Sequence, residues 1–429
     1  MFAYYLDLAL RSLKRNKALT ALMVLAIAVG IGASMTTLTV MHVLSGDPLP
    51  GRSGQIFFPQ VSPDPTRSSV REPSAVMDYH SAVDLWSARR ADRQALIVDS
   101  MIKVVAPDAA LPPLRLDMLS TTADFFPMFA VPFRYGNGWS ADDDAKHARV
   151  AVISDDLNAK LFGGADSVGR MLRLGGSDVR IVGVLKPWRP VPLFYEAWGG
   201  YTKPQDVMTP FFTGLEINDG HFQQYNCWRL PDTPGHLQDA PCNWVVLWVQ
   251  LDDAAKAESY LRFVADYAAQ QKAIGRFTST VTRLRSLMQW LDHIGVVPSD
   301  VRLQMWLAFA FLAICLFNTV GLLLAKFLRR SGELGVRRAL GATRGAVFAQ
   351  CMVEAGLIGL IGGIGGWLLT LAGLWLTRRQ PTEYADIIHL DLPMFLTVFA
   401  LAIATSLLAG LLPAARASRV VPALQLKVL

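Results

Sequence analysis

Charge is scarce in this chain and unevenly spread. Of 429 residues, 18% are Asp, Glu, Lys or Arg, below the roughly 25% of an ordinary soluble domain. Four stretches account for the shortage. Residues 18–44, 303–325 and 392–412 carry none of these side chains, and 346–376 carry only Glu354. Each run is near or above the roughly 20 apolar residues that a helix needs to cross a bilayer. That excludes a purely soluble protein and predicts four transmembrane helices. The first run is far longer than the roughly 7–15 residues of a cleavable signal segment, so it reads as a retained anchor.

Other absences are equally informative. No Lys is followed by Ser or Thr, so the Gly-x4-Gly-Lys-Ser/Thr phosphate loop is missing and ATP is not hydrolysed through that motif. No Ser-His-Asp or Cys-His grouping emerges, which points to a non-catalytic chain with no catalytic, cofactor or metal residues of its own. There are four cysteines. Cys315 and Cys351 fall inside apolar runs, where buried thiols are ordinary. Cys227 and Cys242 lie in the long polar segment, where an oxidising compartment points first to a disulfide. With His221 and His236 they form an H-x5-C-x8-H-x5-C set that matches no common zinc spacing; free thiols and a metal site remain the alternatives. Asp142, Asp143 and Asp144 read as a solvated turn, since nothing completes a calcium loop.

What charge there is sets the topology. Arg11, Lys14, Arg15 and Lys17 precede the first run; Lys326, Arg329, Arg330, Arg337, Arg338 and Arg344 lie between the second and third; Arg416, Arg419 and Lys427 follow the fourth. The positive-inside rule then puts both termini and 326–345 in the cytoplasm and 46–300 outside. The exterior segment holds 25 Lys/Arg against 29 Asp/Glu, so the net charge of +6 belongs to the membrane flanks. Lipid explains that excess, and nucleic acid is rejected as a partner.

The expected architecture is an integral membrane α-helical protein with a large α+β domain inserted between helices 1 and 2. Residues 1–17 form an amphipathic helix on the inner leaflet, with Phe2, Tyr5, Leu6, Ala9 and Leu13 on one face. The spans are 18–44, 303–328, 346–376 and 392–412, with a coupling segment at 329–345, a short exterior loop at 377–391 and a tail at 413–429. In the exterior segment, 95–105 and 115–120 read as strands. Residues 148–186 read as strand 150–153, a helix capped by Ser154 or Asp155 and stopped by Gly163-Gly164, then strands 171–174 and 179–185. A long helix is expected over 281–294. The aromatics of 187–244 suit either the core of an irregular subdomain or a surface for apolar cargo.

The stretch RRSGELGVRRALGAT, 329–343, is unusual for a loop between membrane helices. Ser331-Gly332 and Gly341 permit sharp entry and exit around a short helix in which Leu334, Val336 and Leu340 offer apolar contact and Arg337 and Arg338 offer charge. Glu333 has two readings, an i+4 pair with Arg337 or a contact with a partner. Glu354, an acid within a span, is a functional hypothesis by default, with snorkelling or a pair with Arg344 as its bland alternative. Gly359/Gly363 and Gly362/Gly366 have the small-x3-small spacing of close helix contacts, read as packing against a second permease or within the chain.

The pattern of Asn318, Arg329 or Arg330, Glu333, Gly335, Arg338, Ala339, Gly341 and Ala342 resembles the FtsX/MacB permease family, the four-helix permeases of type VII ABC transporters. The tail GLLPAARASRVVPALQL (410–426), the amino end LALRSLKRNKALTALMVLAIAVGIGA and the exterior stretch 150–185 fit the same family. The resemblance is weak over 50–95 and 187–245. It implies that 329–345, with Arg330, Glu333, Leu334, Gly335, Arg337, Arg338, Leu340 and Gly341, is a coupling helix docked on a separate ABC ATPase dimer that binds ATP and Mg. It further implies a second permease, identical or paralogous, an inner-membrane location, and efflux of a periplasmic substrate such as a drug or peptide. A periplasmic adaptor and outer-membrane duct would complete such a pump. Two alternatives use the same parts: a lipoprotein-extracting permease, and a non-transporting regulator of a cell-wall hydrolase or sensor of a peptide.

Overall fold

The computed structural model describes residues 2–63, 72–106, 112–218, 220–233 and 236–419. The end of the tail motif, 420–426, and Lys427 lie outside them, as does the side chain of Phe2. Two compact units result: Met1–Ser45 with Val297–Leu429, and Gly46–Val296. The chain begins with α1 (Phe2–Arg15) and α2 (Lys17–Ser45). The inserted unit runs β1 (Ile56–Gln60), α3 (Tyr79–Ser87), β2 (Arg93–Val105), β3 (Leu114–Thr121), α4 (Phe125–Met128), β4 (Phe133–Gly136), α5 (Ala141–Ala145), β5 (Val150–Ile153), α6 (Asp155–Phe162), β6 (Met171–Leu174) and β7 (Ser177–Leu185). It continues with β8 (Val207–Pro210), α7 (Phe211–Ile217), β9 (Asn226–Cys227), β10 (Cys242–Asn243), β11 (Val246–Gln250), α8 (Ala254–Ala273), β12 (Arg283–Ser286) and α9 (Leu287–His293). The return is α10 (Ser299–Arg329), α11 (Ser331–Ala339), α12 (Arg344–Thr377) and α13 (Leu392–Ser418).

Among the described residues of the inserted unit ten strands form one mixed sheet, ordered β12-β1-β11-β2-β3-β8-β5-β7-β4, with β6 pairing β2 and β7. Both faces are covered: Ala95 and Ile97 enter one core with Phe58, Trp248 and Trp290, while Leu96 and Val98 enter another with Trp244, Val249 and Tyr260. Alternation along β2 feeds both at once. Phe194, Tyr195, Phe211 and Trp244, from the aromatic segment, are buried in these cores; Trp198 and Tyr225 are exposed.

Two local readings need correction. Residues 281–294 are not one helix: β12 pairs with β1 at the sheet edge, and a Ser286–Gln289 capping box starts the short α9. The leucine spacing there mimics a helix, but edge pairing decides 283–286. Asp142–144 is not a solvated turn either. It forms α5, capped reciprocally by Ser140 and Asp143. Asp144 is buried and accepts hydrogen bonds from Ala123 N (2.7 Å) and Trp139 Nε1 (2.8 Å).

One buried polar group ties the sheet to acidity. Gln205 Nε2 donates to Asp99 Oδ1 at 2.7 Å and to Glu196 Oε1 at 2.8 Å. Burial first, then the neighbouring Glu196 and Asp117, pushes the Asp99 carboxyl well above its usual range. The folded state therefore keeps a proton that the unfolded chain releases above about pH 4. The stability contributed by Asp99 is full below that pH and is lost as pH rises through the folded value. Asp99→Asn keeps the acceptor for Gln205, so its melting temperature should gain on wild type between pH 5 and pH 8; parallel pH profiles would count against this.

The other unit is a bundle. Among the described residues four helices, α2, α10, α12 and α13, are long and apolar enough to cross a membrane. On α1, Ala9, Ser12 and Leu13 are buried and Asp7, Arg11, Lys14 and Arg15 exposed, as amphipathicity predicts. α13 carries on through Pro413 to Ser418, beyond the end at 412 read from hydropathy.

The glycines of α12 let it pack on two neighbours. A Cβ on Gly362 or Gly366 would meet Ile27 or Ile31 of α2 within 2.9 Å; one on Gly359 or Gly363 would meet Ser406 or Ala402 of α13 within 2.8 Å. The small-x3-small faces are thus used inside the chain, which corrects their assignment to a second permease. Gly359→Val should fail to give folded protein, because overpacking costs about 1–3 kcal/mol or more. Gly356→Ala, with nothing nearer than 3.8 Å, should melt like wild type in detergent; equal melting of both variants would refute the packing argument.

Candidate functional site: a charged corner between α10 and α11

The chain turns sharply at Arg330, which ends α10 and starts α11. The exit uses Gly341 at φ +103°, a conformation that side chains disfavour. Thr343 then caps α12 by accepting from Ala346 N at 3.2 Å. Leu334 and Gly335 face inward, and Leu334 joins the bundle core. Of the three apolar residues expected to face a partner, only Val336 and Leu340 are exposed, Leu340 by 83%. Arg337 Nη1 donates to Gln350 on α12 at 2.9 Å, and Arg338 is half-buried.

Beneath this corner lies a buried ion cluster. Glu354 is 2% exposed, and Lys326 Nζ, fully buried, sits 2.5 Å from its Oε1. Arg330 Nη1 reaches Glu354 Oε2 at 3.3 Å and donates to Ser12 Oγ at 2.5 Å. Ser12, on α1, in turn donates to Glu354 Oε1 at 2.5 Å. Arg330 Nε also pairs with Glu333 Oε2 at 3.1 Å, and Glu333 accepts from Arg15 of α1. Burial opposes ionisation of Glu333, but the hydrogen bonds and charges of Arg330 and Arg15 outweigh it and hold its carboxyl below the usual range.

This arrangement replaces both bland pairings: Glu333 meets Arg330 and Arg15 instead of Arg337, and Glu354 meets Lys326 and Arg330 instead of Arg344. Lys326, Ser12 and Arg15 were missed as site residues. Lys326 read as a membrane flank, and the only local hint was its place inside the last turn of an apolar helix. The cluster does not include Asn318, which is exposed on α10, nor Gly359, Gly363 and Gly366, which serve helix packing. In the inserted unit Cys227 and Cys242 are joined in a disulfide across β9 and β10, so they hold no metal; among the described residues no group of three or more His, Cys, Asp or Glu could hold an ion.

Removing one partner of a buried pair leaves an uncompensated charge and costs about 3–5 kcal/mol. Glu354→Gln should therefore lower the melting temperature more than the double variant Glu354→Gln with Lys326→Met, measured in one detergent. Additive losses would show that the two side chains are not coupled.

Family models match most of the chain. Residues 20–262 match the MacB-like periplasmic core domain and 305–422 match the FtsX-like permease C-terminal. The macrolide export ATP-binding/permease protein MacB of Azoarcus sp. (strain BH72) is 24% identical over 97% of this chain, which spans 58% of that protein's length. The uncharacterized ABC transporter permease YvrN of Bacillus subtilis (strain 168) is 22% identical over 70% of this chain and 67% of its own. The solved periplasmic region of MacB from Actinobacillus actinomycetemcomitans aligns over 58% of this chain and 95% of that one, at 11% identity and a TM-score of 0.37. The chain belongs to the FtsX/MacB-type permeases of ABC transporters, a multi-pass membrane protein with a MacB-like periplasmic domain between its first and second apolar helices.

Proposed function

We propose that this chain couples the nucleotide cycle of a separate ABC ATPase dimer, which holds ATP and Mg, to motion of its periplasmic domain. α11 is the coupling helix. The observation that carries this reading is the double role of Arg330: it is the corner between α10 and α11, and it bonds both Glu333 outside and Glu354 inside. A push on α11 is then resisted by a buried ion cluster and passes into α10 and α12. Val336 and Leu340 supply the apolar contact with the ATPase, and exposed charge around them sets register. Both termini are cytoplasmic, and the location is the inner membrane. Two permeases serve the two ATPases. The work done is export of a periplasmic substrate; the macrolide-export name of the Azoarcus relative favours efflux over lipoprotein extraction or hydrolase regulation.

The test is a mild-detergent purification of the tagged chain from its native host, with mass spectrometry and an ATPase assay. A separate ATPase should co-purify. Leu340→Asp, at a side chain 83% exposed, should release it without changing the melting temperature. Absence of any ATPase under several detergents would overturn the coupling reading.

A further inference from the structure

The inserted domain contains a cavity of about 390 Å³ that the coupling reading does not use. It lies where four neighbouring strands end. β5 runs parallel to β7 and antiparallel to β8, and β8 runs parallel to β3. The carboxyl ends of β5 and β7 lead into Ser154 and Lys186, beside Asp117 of β3 and Asp206 before β8. Crevices at the carboxyl ends of parallel strands are common ligand sites. Backbone bonds hold this end together: Ser154 N donates to Asp206 O at 2.9 Å, and Asp206 N to Asp117 O at 3.2 Å. Gln205 lines the cavity and is itself only 5% exposed. Tyr195 Oη donates to its Oε1 at 3.0 Å, and its Nε2 bonds the buried carboxyls of Asp99 and Glu196, so its amide is fixed.

Charge of both signs is left over around this cavity. Gln223 bonds one oxygen of Asp117, and Ser154 bonds one oxygen of Asp206. The second oxygen of each, and the whole carboxylate of Asp156, have no partner among the described residues. Lys186 and Lys203 line the same cavity from the loops after β7 and before β8. Neither makes an ion pair or hydrogen bond among the described residues, although acids share the cavity with them. Trp188, half-buried and stacked on Tyr195 at 5.7 Å, adds an apolar wall. We propose that the cavity binds a small zwitterion of the amino-acid class. Its ammonium lies on Asp117, Asp156 and Asp206, its carboxylate on Lys186 and Lys203, and its side chain against Trp188. Charge-assisted hydrogen bonds meet both ends, and a ligand with one charged end leaves half of these groups unmet. The cavity lies wholly within the inserted domain, so the proposal goes beyond the coupling reading and does not depend on it.

The experiment is a ligand-observed NMR titration of the full chain in lipid nanodiscs, with L-phenylalanine, L-leucine, N-acetylphenylalanine and phenylalanine amide. L-phenylalanine should bind with a Kd below about 1 mM, within the bound set by its size. Each blocked form should bind about tenfold more weakly, the loss of one charge-assisted contact. The double variant Lys186→Ala with Lys203→Ala, at two exposed side chains, should melt like wild type. It should weaken L-phenylalanine about tenfold and leave phenylalanine amide unchanged. An equal loss for both ligands would show that the lysines do not meet the carboxylate, and would overturn the assignment. Asp156→Asn should weaken L-phenylalanine and leave N-acetylphenylalanine unchanged. Absence of binding by either free amino acid up to about 10 mM, or blocked forms that bind as well as the free one, would also overturn it. Glycerophosphoethanolamine is the last probe; its binding in place of the amino acids would assign the cavity to a lipid headgroup instead. Because no ATPase enters these measurements, loss of the coupling reading and loss of this site are separate results.

Discussion

A carboxylate with almost no solvent contact must be met by opposite charge or lose its own. Glu354 fixes one end of the bundle for that reason. Its two oxygens are satisfied by Lys326 and Arg330 at the end of α10 and by Ser12 on α1. Three elements far apart in sequence must therefore meet at one point, and their ends are held more tightly than apolar packing would hold them. Apolar side chains slide over one another at small cost; a buried pair that parts leaves two charges without solvation. The corner at Arg330 is stiff because of what lies under it. The exposed pair of Arg15 with Glu333 adds little by comparison, since solvent screens it.

Close packing in the rest of the bundle depends on absence of side chains. α12 touches α2 and α13 through glycines, at distances where a methyl group would collide. Helices in lipid gain no hydrophobic drive from meeting, so such close approach is where their association energy comes from. The glycine faces of α12 are thereby filled within the chain, by α2 on one side and α13 on the other.

Much of this was legible in the sequence. Uncharged runs gave the four helices because the bilayer demands length and apolarity. The segment 148–186 yielded its strands, the Ser154 cap and the glycine stop at 163, since turns and caps are set by local chemistry. The signals that failed were those whose meaning is set by a distant residue. Lys326 next to Arg329 and Arg330 looks like any basic flank until Glu354 is seen 2.5 Å away. Ser12 and Glu354 are 342 positions apart, and no local pattern announces their contact. Glycine spacing told that something packs closely on α12 but not what. At 283–286 a leucine period argued for helix, and the neighbouring β1, more than two hundred residues earlier, overrode it.

That last pairing also explains how a bundle tolerates so long an insertion. The cost of holding two chain ends together grows only slowly with the length between them. Here the folded domain reduces it further, because its first strand β1 and last strand β12 lie side by side at the sheet edge, with Gln60 opposite Arg283. In the bundle, α2 and α10 are neighbours as well: Ser34 Oγ donates to Ala308 O at 3.0 Å, and Gly30 leaves space for Leu312 and Cys315. The same two chain segments are thus adjacent within each unit, by hydrogen-bonded strands in one and by close helix packing in the other. Neither unit needs the other to bring those ends together.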